Sequence, residues 1–369
     1  MKIVIDARLY GPENTGIGRY TTNLLAELQK IDRDNNYLVL LRGDYYEKLK
    51  LAENWRKVMA DFPHYSLKEQ LVLPKLLRSL NPDLVHFPHF NTPFFYKGNF
   101  VVTIHDMVMH KKKGKGATTL PAWKYGVKRL GYRAVFGKSV ARARKIIVPS
   151  HFIKKELLGY FEGLPEDRVT VAHEGVDKNI SGRKAPLPTG EYFVYVGNAY
   201  PHKNIWRAIE AIRLLNTKSK KEVKLALIGA RDVFARRIEK MIKGAGLEDT
   251  VLYLGYVTDE ELGGWLANSA GFVFPSLYEG FGLPGLEAMA AGTVVLASDI
   301  PVFKEVYKKH AVYFNPFNFE AMELAMEEVL DMSVAKRKKI VKENRIFAKR
   351  YSWAEMAKIT LEVYQEAAK

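Results

Sequence analysis

Short apolar runs, many of them rich in β-branched residues, alternate with longer amphipathic stretches along the chain. Short runs that are apolar throughout are typical of strands buried on both faces, whereas apolar positions three and four residues apart indicate helices. This alternation predicts an α/β fold in which parallel sheets are wound with helices. In the first half, strands are predicted over residues 2–6, 37–41, 83–87, 100–104, 145–148 and 169–172, and helices over 18–28 and 66–80.

The alternation stops once and then begins again. Residues 178–190 contain two Pro and two Gly without hydrophobic periodicity, which predicts a linker. Beyond it, strands are predicted over residues 192–196, 224–228, 251–254, 272–274, 294–297 and 312–314. Ser352 and Glu355 form a capping-box pattern that predicts a C-terminal helix. The 369 residues are therefore expected to form two doubly wound domains.

The most informative segment is residues 271–299, GFVFPSLYEGFGLPGLEAMAAGTVVLASD. A strand is expected to end at Phe274 and a helix to begin near Pro284, because Pro suits the first turn of a helix. The N-terminus of that helix presents backbone amides and a positive dipole end, which together suit a phosphate. Glu279 in the loop and Glu287 in the helix are candidate acceptors for sugar hydroxyls. Two glutamates alone, however, are more often a solvated loop residue and a helix-dipole residue.

Lys203 lies just after the first predicted strand of the second half, in the segment YVGNAYPHKN. At the start of the next helix, its ammonium group would lie beside a diphosphate bound at the sheet edge. A lysine at a helix start is more often an exposed surface group, so its position alone leaves both interpretations open.

Three further candidates follow strands of the first half. Gly16 and Gly18 lie in GPENTGIGR, where a complete dinucleotide fingerprint would need a third glycine at the position of Thr21. His105 directly follows the predicted strand 100–104. A histidine at a strand end is commonly a hydrogen-bonded loop residue, so each of these signals is weak by itself.

Two patterns could be mistaken for metal sites. His86, His89 and Asn91 lie in DLVHFPHFNTPF, but no carboxylate accompanies them at metal spacing, which favours a polar wall or a structural role. The Asp-x-Asp pattern at 32–34 lies in the polar sequence IDRDNN, which predicts a turn. No metal site is therefore predicted.

The segment 271–299 closely resembles the donor-site signature of glycosyltransferase family four, a Glu followed by seven residues and a second Glu, with Gly-Phe-Gly-Leu-Pro between them. The resemblance covers essentially the whole chain. It implies the GT-B fold, with two Rossmann-like doubly wound domains facing each other across a cleft and a C-terminal helix that crosses back to the first domain. It further implies an acceptor-binding domain over 1–180 with 352–369, and a nucleotide-sugar-binding domain over 190–350.

The resemblance also implies roles for single residues on the donor side. It places Glu279 at the transferred hexose, Glu287 at the ribose and Lys203 at the diphosphate. The backbone amides expected beside the sugar and diphosphate are those of Phe281, Gly282 and Leu283. The family usually carries an arginine where this chain has Asn198, so His202 is a candidate for part of the missing positive charge.

In the first domain, the resemblance places His105 at the reacting centre and Gly16 and Gly18 opposite the donor. The residues implied on the acceptor side are His86, His89, Asn91 and Asp106. The implied activity is a retaining, metal-independent hexosyl transfer of the EC 2.4 class. A nucleotide-diphosphate sugar is the co-substrate, no cofactor is needed, and the acceptor is a glycan or a lipid-linked glycan. GDP-mannose is favoured over UDP-glucose, because the chain resembles bacterial-type mannosyltransferases overall.

Most of the net charge of +16 is concentrated in residues 111–145, which contain twelve Lys and Arg and no Asp or Glu. A face of this kind attracts polyanions. Together with Trp123, Tyr125, Tyr132 and Phe136 it predicts a peripheral contact with an anionic membrane. The alternatives are a solvated basic face or a helix whose aromatic residues pack on the core. Nucleic acid is not expected as a partner.

Composition and the incomplete glycine motif exclude or disfavour several classes of protein function. The chain has no cysteine, which excludes disulfides, thiolate zinc sites and cysteine nucleophiles. Its first apolar run meets Asp6 and Arg8 too early for a signal peptide, so a cytoplasmic protein, peripheral at the inner face of the membrane, is expected. A nicotinamide oxidoreductase is disfavoured by the incomplete glycine fingerprint. A non-catalytic protein of the same fold that binds nucleic acid or a membrane surface remains the alternative.

Overall fold

A computed structural model describes residues 1–111, 122–177, 185–219 and 222–369. The chain divides into two compact units. The first unit comprises Met1–Gly175 together with Ser352–Lys369, and the second comprises Val176–Tyr351.

The first unit is built on a seven-stranded sheet in which every paired strand runs parallel to its neighbour. Its strands are β1 (Lys2–Asp6), β2 (Asn36–Leu41), β3 (Trp55–Met59), β4 (Leu84–Phe87), β5 (Phe100–Thr103), β6 (Lys145–Val148) and β7 (Val169–Val171). Their order in the sheet is β3-β2-β1-β4-β5-β6-β7, so the winding direction reverses between β1 and β4. Ile3, Val4 and Ile5 of β1 are fully buried, as a central strand covered on both faces requires.

Helices connect these strands. They are α1 (Thr15–Ile31), α2 (Gly43–Tyr46), α3 (Leu67–Leu80), α4 (Val108–Lys111), α5 (Ala122–Arg142) and α6 (His151–Tyr160). Ser66 and Ser150 cap α3 and α6, because each side-chain oxygen accepts a hydrogen bond from a backbone amide of the first turn.

The second unit repeats this plan with a six-stranded parallel sheet ordered β10-β9-β8-β11-β12-β13. Its strands are β8 (Tyr192–Val196), β9 (Lys224–Ile228), β10 (Val251–Gly255), β11 (Gly271–Phe274), β12 (Val295–Ser298) and β13 (Val312–Phe314). Its helices are α7 (Ile205–Ser219), α8 (Val233–Gly244), α9 (Asp259–Ala267), α10 (Leu283–Ala291), α11 (Pro301–Tyr307), α12 (Phe319–Leu330) and α13 (Val334–Ala348). The winding direction reverses between β8 and β11.

The last helix, α14 (Trp353–Ala368), belongs to the first unit. The hydroxyl of Tyr364 lies 2.6 Å from Nδ1 of His86 at the end of β4, and the ring of Trp353 lies 6.4 Å from that of Tyr20 in α1. Ser352 is the N-cap residue, but its side chain makes no capping hydrogen bond. The helix is therefore confirmed, and the reciprocal capping box predicted for it is not.

All twelve predicted strands are present within one or two residues of their predicted ends. The strand β3 was not predicted, because its sequence WRKVM alternates weakly and is only partly buried at the sheet edge. The expected linker falls partly on residues 178–184, outside the described residues, and residues 185–190 form neither helix nor strand.

Candidate functional site

In the second unit, the candidate site lies at the carboxyl ends of β8 and β11. These two strands are neighbours at the point where the winding reverses, so the loops that follow them diverge and leave a crevice. The loop after β8 carries Lys203, and the loop after β11 carries Glu279. The topology thus brings together two residues that lie 76 positions apart in the sequence.

Lys203 and Glu279 form an ion pair. The Lys203 ammonium nitrogen lies 2.6 Å from Oε1 of Glu279, and the Ser276 hydroxyl donates to the same oxygen at 2.6 Å. The two charged side chains are only 15% and 13% exposed, respectively. A charge-assisted contact of this length, shielded from solvent, places a cation and a carboxylate side by side at the sheet edge.

Hydrogen bonds fasten the two loops to one another. Asn204 adopts the left-handed conformation with φ 59°, which a short polar side chain tolerates. Its amide donates to the carbonyl oxygens of Pro275, at 3.0 Å, and Pro316, at 2.8 Å. The backbone amide of Leu277 donates to the carbonyl of His202 at 2.8 Å. The backbone of Lys203 is therefore fixed by the hydrogen bonds of the residues on either side of it.

The N-terminus of α10 lies in the same segment as Glu279. Gly282 precedes the helix with φ 108°, a conformation that favours glycine, and no side chain caps this end. A Cβ at Gly282 or at Gly285 would collide with the hydroxyl of Tyr307, which donates to the Gly282 carbonyl. Burial, reinforced by the charge of Glu279, raises the pKa of Tyr307 well above its usual value, so the hydroxyl stays a donor. The helix end is thus a preformed group of backbone amides.

The other predicted donor-side residues are arranged around this end. Phe281 and Leu283 are buried, and Glu287 is only 4% exposed inside α10. The side-chain oxygen of Asn198 is buried and has no hydrogen-bond partner in the described part of the chain, while its carbonyl accepts from the Tyr195 hydroxyl at 2.7 Å. An unused acceptor therefore lies where the resemblance would usually place an arginine.

In the first unit, His105 lies at the carboxyl end of β5 and both of its ring nitrogens have partners. Nε2 lies 3.0 Å from the carbonyl oxygen of Pro88, and Nδ1 lies 3.1 Å from Oε1 of Glu174. The ring of Tyr20 meets the imidazole edge-on, with centroids 4.8 Å apart. His105 is therefore held rigidly rather than lying loose in a loop.

A pocket lies near the switch point of the first sheet, between the ends of β1 and β4. Its lining includes Asp6, His64, His89 and Asn91. Asn91 donates to Oε2 of Glu69 at 2.8 Å, and Arg8 binds Asp6 and Glu69 at 2.7 Å each. Burial alone would raise the pKa of Asp6, but the neighbouring Arg8 charge keeps it below its usual value. Two residues of the pocket lining, Asp6 and Asn91, are thus held in a buried network with Arg8 and Glu69.

The acceptor-side candidates divide into two groups. His89 and Asn91 line this pocket, and their acceptor-side role stays a prediction. His86 does not line the pocket: it is fully buried inside the sheet and bonds to the hydroxyls of Tyr364 and Thr103, which is the structural role that the sequence left open. Burial lowers the pKa of His86 to about 3, so it is a neutral structural residue. Asp106 is exposed and accepts a hydrogen bond from the amide of Val108 at 2.9 Å, at the start of α4.

The two glycines of the first loop differ in their surroundings. A Cβ at Gly18 would collide with the carbonyl oxygen of Gly11, so glycine is required there by packing. A Cβ at Gly16 would meet nothing within 4 Å. Only Gly16 therefore presents open backbone from the first turn of α1.

The Asp-x-Asp pattern is a turn, as predicted. Asp32 accepts hydrogen bonds from the amides of Asp34 and Asn35 and from the Tyr37 hydroxyl. Among the described residues, no group of three or more His, Asp or Glu is arranged to hold a metal ion.

The basic segment is partly outside the described residues, which omit Lys112, Lys113 and Lys115. In α5, Trp123, Val127 and Leu130 share one helix face and are 69%, 66% and 70% exposed. Exposed Lys124, Lys128 and Arg133 lie on the same helix. Tyr132 and Phe136, expected with Trp123 on the surface, are buried instead and pack on His110 and Phe90. Every helix in the described residues is too short or too polar to span a bilayer.

Sequence reasoning missed Glu174, Ser276, Tyr307 and the Arg8 network. Glu174 lies 69 residues from His105, and no local pattern links them. Ser276 was inside the recognised segment, where its spacing of three from Glu279 was a usable signal.

Two family models match the chain. The model described as Glycosyl transferases group 1 matches residues 177–347, and the model described as Glycosyltransferase Family 4 matches residues 14–179. Together the two matches span residues 14–347, which include every residue of the Lys203–Glu279 site.

Relatives and solved structures agree with these matches. The O-antigen chain mannosyltransferase RfbU of Salmonella typhimurium is 26% identical over 338 residues, covering 89% of this chain and 90% of the relative. The O-antigen chain mannosyltransferase B of Escherichia coli is 26% identical over 392 residues, covering 99% and 100%. Sucrose-phosphate synthase of Thermosynechococcus elongatus superposes with a TM-score of 0.75 at 17% identity, covering 99% and 98%. This last likeness concerns the fold alone and confirms the predicted fold.

Proposed function

Because the chain belongs to glycosyltransferase family 4, we propose that it transfers a hexose from a nucleotide-diphosphate sugar to a glycan or lipid-linked acceptor, retaining configuration without a metal ion. The observation that carries this proposal is the Lys203–Glu279 pair in the segment that leads into α10. One sheet edge thereby offers a cation and helix amides for a diphosphate and a carboxylate for sugar hydroxyls.

Lys203 and the first turn of α10 hold the departing diphosphate in this proposal. Positive groups already in position stabilise the negative charge that grows on the diphosphate as its bond to the sugar breaks. A divalent ion does the same in other transferases. Transfer measured in excess chelator is therefore expected to continue undiminished. Loss of activity that magnesium or manganese restores would contradict this part of the proposal.

Glu279 accepts hydrogen bonds from hydroxyls of the hexose. In the structure its Oε1 already accepts from Lys203 and Ser276, which leaves Oε2 for the sugar. The ammonium group of Lys203 has three N–H donors, so it can keep one on Glu279 and direct another to the diphosphate. The ion pair thus becomes a bridge between the leaving group and the sugar.

The chemical step needs no nucleophile from the protein. The acceptor oxygen forms a bond to C1 of the hexose on the face from which the diphosphate leaves, and the bond from C1 to the diphosphate oxygen breaks. The electron pair stays on the diphosphate, which also takes the acceptor's hydroxyl proton. Attack on the leaving-group face retains the configuration, which the anomeric NMR signals of donor and product would establish. An inverted product would exclude this course.

GDP-mannose is the proposed donor, with UDP-glucose as the second candidate. Both curated relatives described above are named mannosyltransferases. The test is a panel of GDP- and UDP-sugars assayed with lipid-linked and free glycan acceptors. If only a UDP-sugar gave product, the donor would be a UDP-sugar rather than GDP-mannose, and the protein would still be a glycosyltransferase.

A non-catalytic protein of the same fold that binds nucleic acid or a membrane surface is the alternative function. It predicts no turnover in any arm of the panel, whereas hexosyl transfer predicts product in at least one. The carboxylate of Glu279 beside Lys203 favours the enzyme, because a surface for polyanions gains nothing from a carboxylate at its cationic centre.

A peripheral contact with an anionic membrane is proposed for α5. Trp123, Val127 and Leu130 expose an apolar stripe, and cationic residues flank it without a single acidic residue between 111 and 145. Burying such side chains in the lipid interface contributes about 1.5 to 3 kcal/mol each, and the lysines add attraction to anionic headgroups.

Vesicle co-sedimentation tests this contact. Binding to vesicles with anionic lipid is expected to fall at least about tenfold for Trp123→Ser combined with Leu130→Ser. Phe317→Ser is the matched control, because Phe317 is 68% exposed in the second unit. Equal binding by wild type and the double variant, or binding that ignores lipid charge, would contradict the contact.

A further inference from the structure

Glu174 is a buried carboxylate at the carboxyl end of the first sheet. It follows β7 by three residues and is only 8% exposed. The next residue, Gly175, is fixed in place, because a Cβ there would collide with the backbone of Trp353 at the start of α14. The position of Glu174 is therefore set by the packing of its own unit.

The hydrogen bonds of His105 define its protonation. The Pro88 carbonyl can only accept, so Nε2 of His105 carries a hydrogen and donates to it at 3.0 Å. Nδ1 lies 3.1 Å from Oε1 of Glu174, which as a carboxylate also only accepts. Both ring nitrogens are satisfied together only when both carry hydrogens.

We propose that Glu174 is a positioning residue that holds His105 as a doubly protonated imidazolium, so that His105 donates hydrogen bonds and cannot serve as a base. A carboxylic acid is a stronger acid than an imidazolium, so the proton between the two groups resides on the ring. The protonation of His105 does not depend on the proposed function. Only its consequence for transfer rests on that function: the acceptor's proton goes to the departing diphosphate, not to His105.

The other titratable groups named around His105 are neutral. Tyr20 contacts the ring edge-on and bonds through its hydroxyl to Thr103, and burial raises its pKa, so it stays neutral. His86 and His89 are the neighbouring imidazoles, and burial lowers the pKa of both, so they stay neutral. Glu174 is thus the counter-ion that balances His105.

The direct test is side-chain nitrogen NMR of the whole protein with 15N-labelled histidine, without any substrate. The His105 signals are assigned by their loss in His105→Asn. At about pH 7, both His105 nitrogens are expected to be protonated in the wild type and in the control Glu162→Gln, a change at an exposed glutamate of the same unit. In Glu174→Gln the amide can donate to a bare Nδ1, so one unprotonated nitrogen is expected.

A pH profile adds a second readout once turnover is found. Activity of wild type and of Glu162→Gln is expected to stay level as the pH rises through roughly 6 to 8, because a ring that keeps both hydrogens does not change charge there, whereas the activity of Glu174→Gln is expected to vary with pH over that range. An unprotonated His105 nitrogen in the wild type at about pH 7, or identical spectra for wild type and Glu174→Gln, would overturn the assignment. The NMR result stands whether or not any nucleotide sugar is a substrate, so failure of the proposed function is recognised separately.

Discussion

The ammonium nitrogen of Lys203 lies 2.6 Å from Oε1 of Glu279, so the two side chains assigned to different parts of the donor are already bound to each other. Because the pair is shielded from solvent, both charges are in position before any ligand binds. Preorganised electrostatic stabilisation requires such an arrangement. Removing one member should therefore also disturb the other.

Lys203→Met should lower the single-turnover rate of transfer by roughly 10² to 10³ at saturating donor, because the methionine keeps the stem but loses the charge that meets the diphosphate. The rate is measured by rapid quench, with donor affinity taken separately by calorimetry. Lys218→Met is the matched control. Lys218 also forms an ion pair, with its ammonium nitrogen 2.8 Å from Oε2 of Glu323, but this pair does not lie at the carboxyl ends of the strands. A Lys203→Met rate within threefold of wild type would remove the lysine from the diphosphate site.

Glu279→Gln should reduce kcat/KM about 10- to 100-fold and lower the melting temperature while leaving the protein folded, because it also breaks the shielded ion pair with Lys203. Loss of one charged hydrogen bond to the sugar costs about 1.5 to 3 kcal/mol, and the amide still fills the same space. Steady-state kinetics and thermal unfolding check the two parts. Glu328→Gln serves as control, because that residue pairs only loosely with Lys336 on the surface. Unchanged kinetics would place the sugar elsewhere.

Substitutions at two glycines distinguish a glycine that packing requires from one at which a ligand could approach the backbone. Gly282→Ala should destabilise the second unit, because φ 108° disfavours an L-residue and its Cβ would meet Tyr307. Gly16→Ala should fold normally, since its Cβ meets nothing within 4 Å, but should slow transfer if the donor approaches that loop. Denaturant unfolding and turnover are measured for both. A stable Gly282→Ala, or an unfolded Gly16→Ala, would contradict the described backbone.

The buried His86 should make stability depend on pH. Its pKa falls from 6.5 in the unfolded chain to about 3 in the folded protein, so between these values only the unfolded chain binds the proton. The stability contributed by neutral His86 is complete above the unfolded pKa and is lost as the pH falls toward the folded one, at up to about 1.4 kcal/mol per pH unit.

Denaturant unfolding of wild type and His86→Gln at several pH values between about 7 and 4.5 tests this slope. The variant is expected to be less stable at neutral pH, because it loses contacts to Tyr364 and Thr103, but to lose less stability on acidification. Parallel curves would show that His86 titrates normally in the folded state.

The sequence predicts the fold well because its signals are local. Strands such as β1, β6, β8 and β9 match the predictions at both ends, since each is a short apolar run between polar residues. The strand β3 escaped prediction, because an edge strand is only half covered and its apolar pattern is weak. The buried face of α5 was also not predicted, since the sequence alone does not show which of its aromatic residues face the core.

The candidate site was only partly predictable for a physical reason. Glu279, Glu287, Gly282 and Lys203 stand in short segments whose spacing has chemical meaning. The partners of His105 and the buried position of His86 depend on which strands become neighbours, and no local pattern specifies that. Long-range hydrogen bonds of this kind follow from topology rather than from spacing.

The most direct test of hexosyl transfer through the Lys203–Glu279 site is a labelled-donor assay. Wild type, Lys203→Met, Glu279→Gln and Lys218→Met are each incubated with GDP-mannose or UDP-glucose labelled in the sugar, together with lipid-linked glycan acceptors. Transfer through this site predicts labelled product with wild type and Lys218→Met, and at least about tenfold less product with Lys203→Met and Glu279→Gln. Equal product from all four proteins, or no product from any donor despite an intact fold, would contradict it.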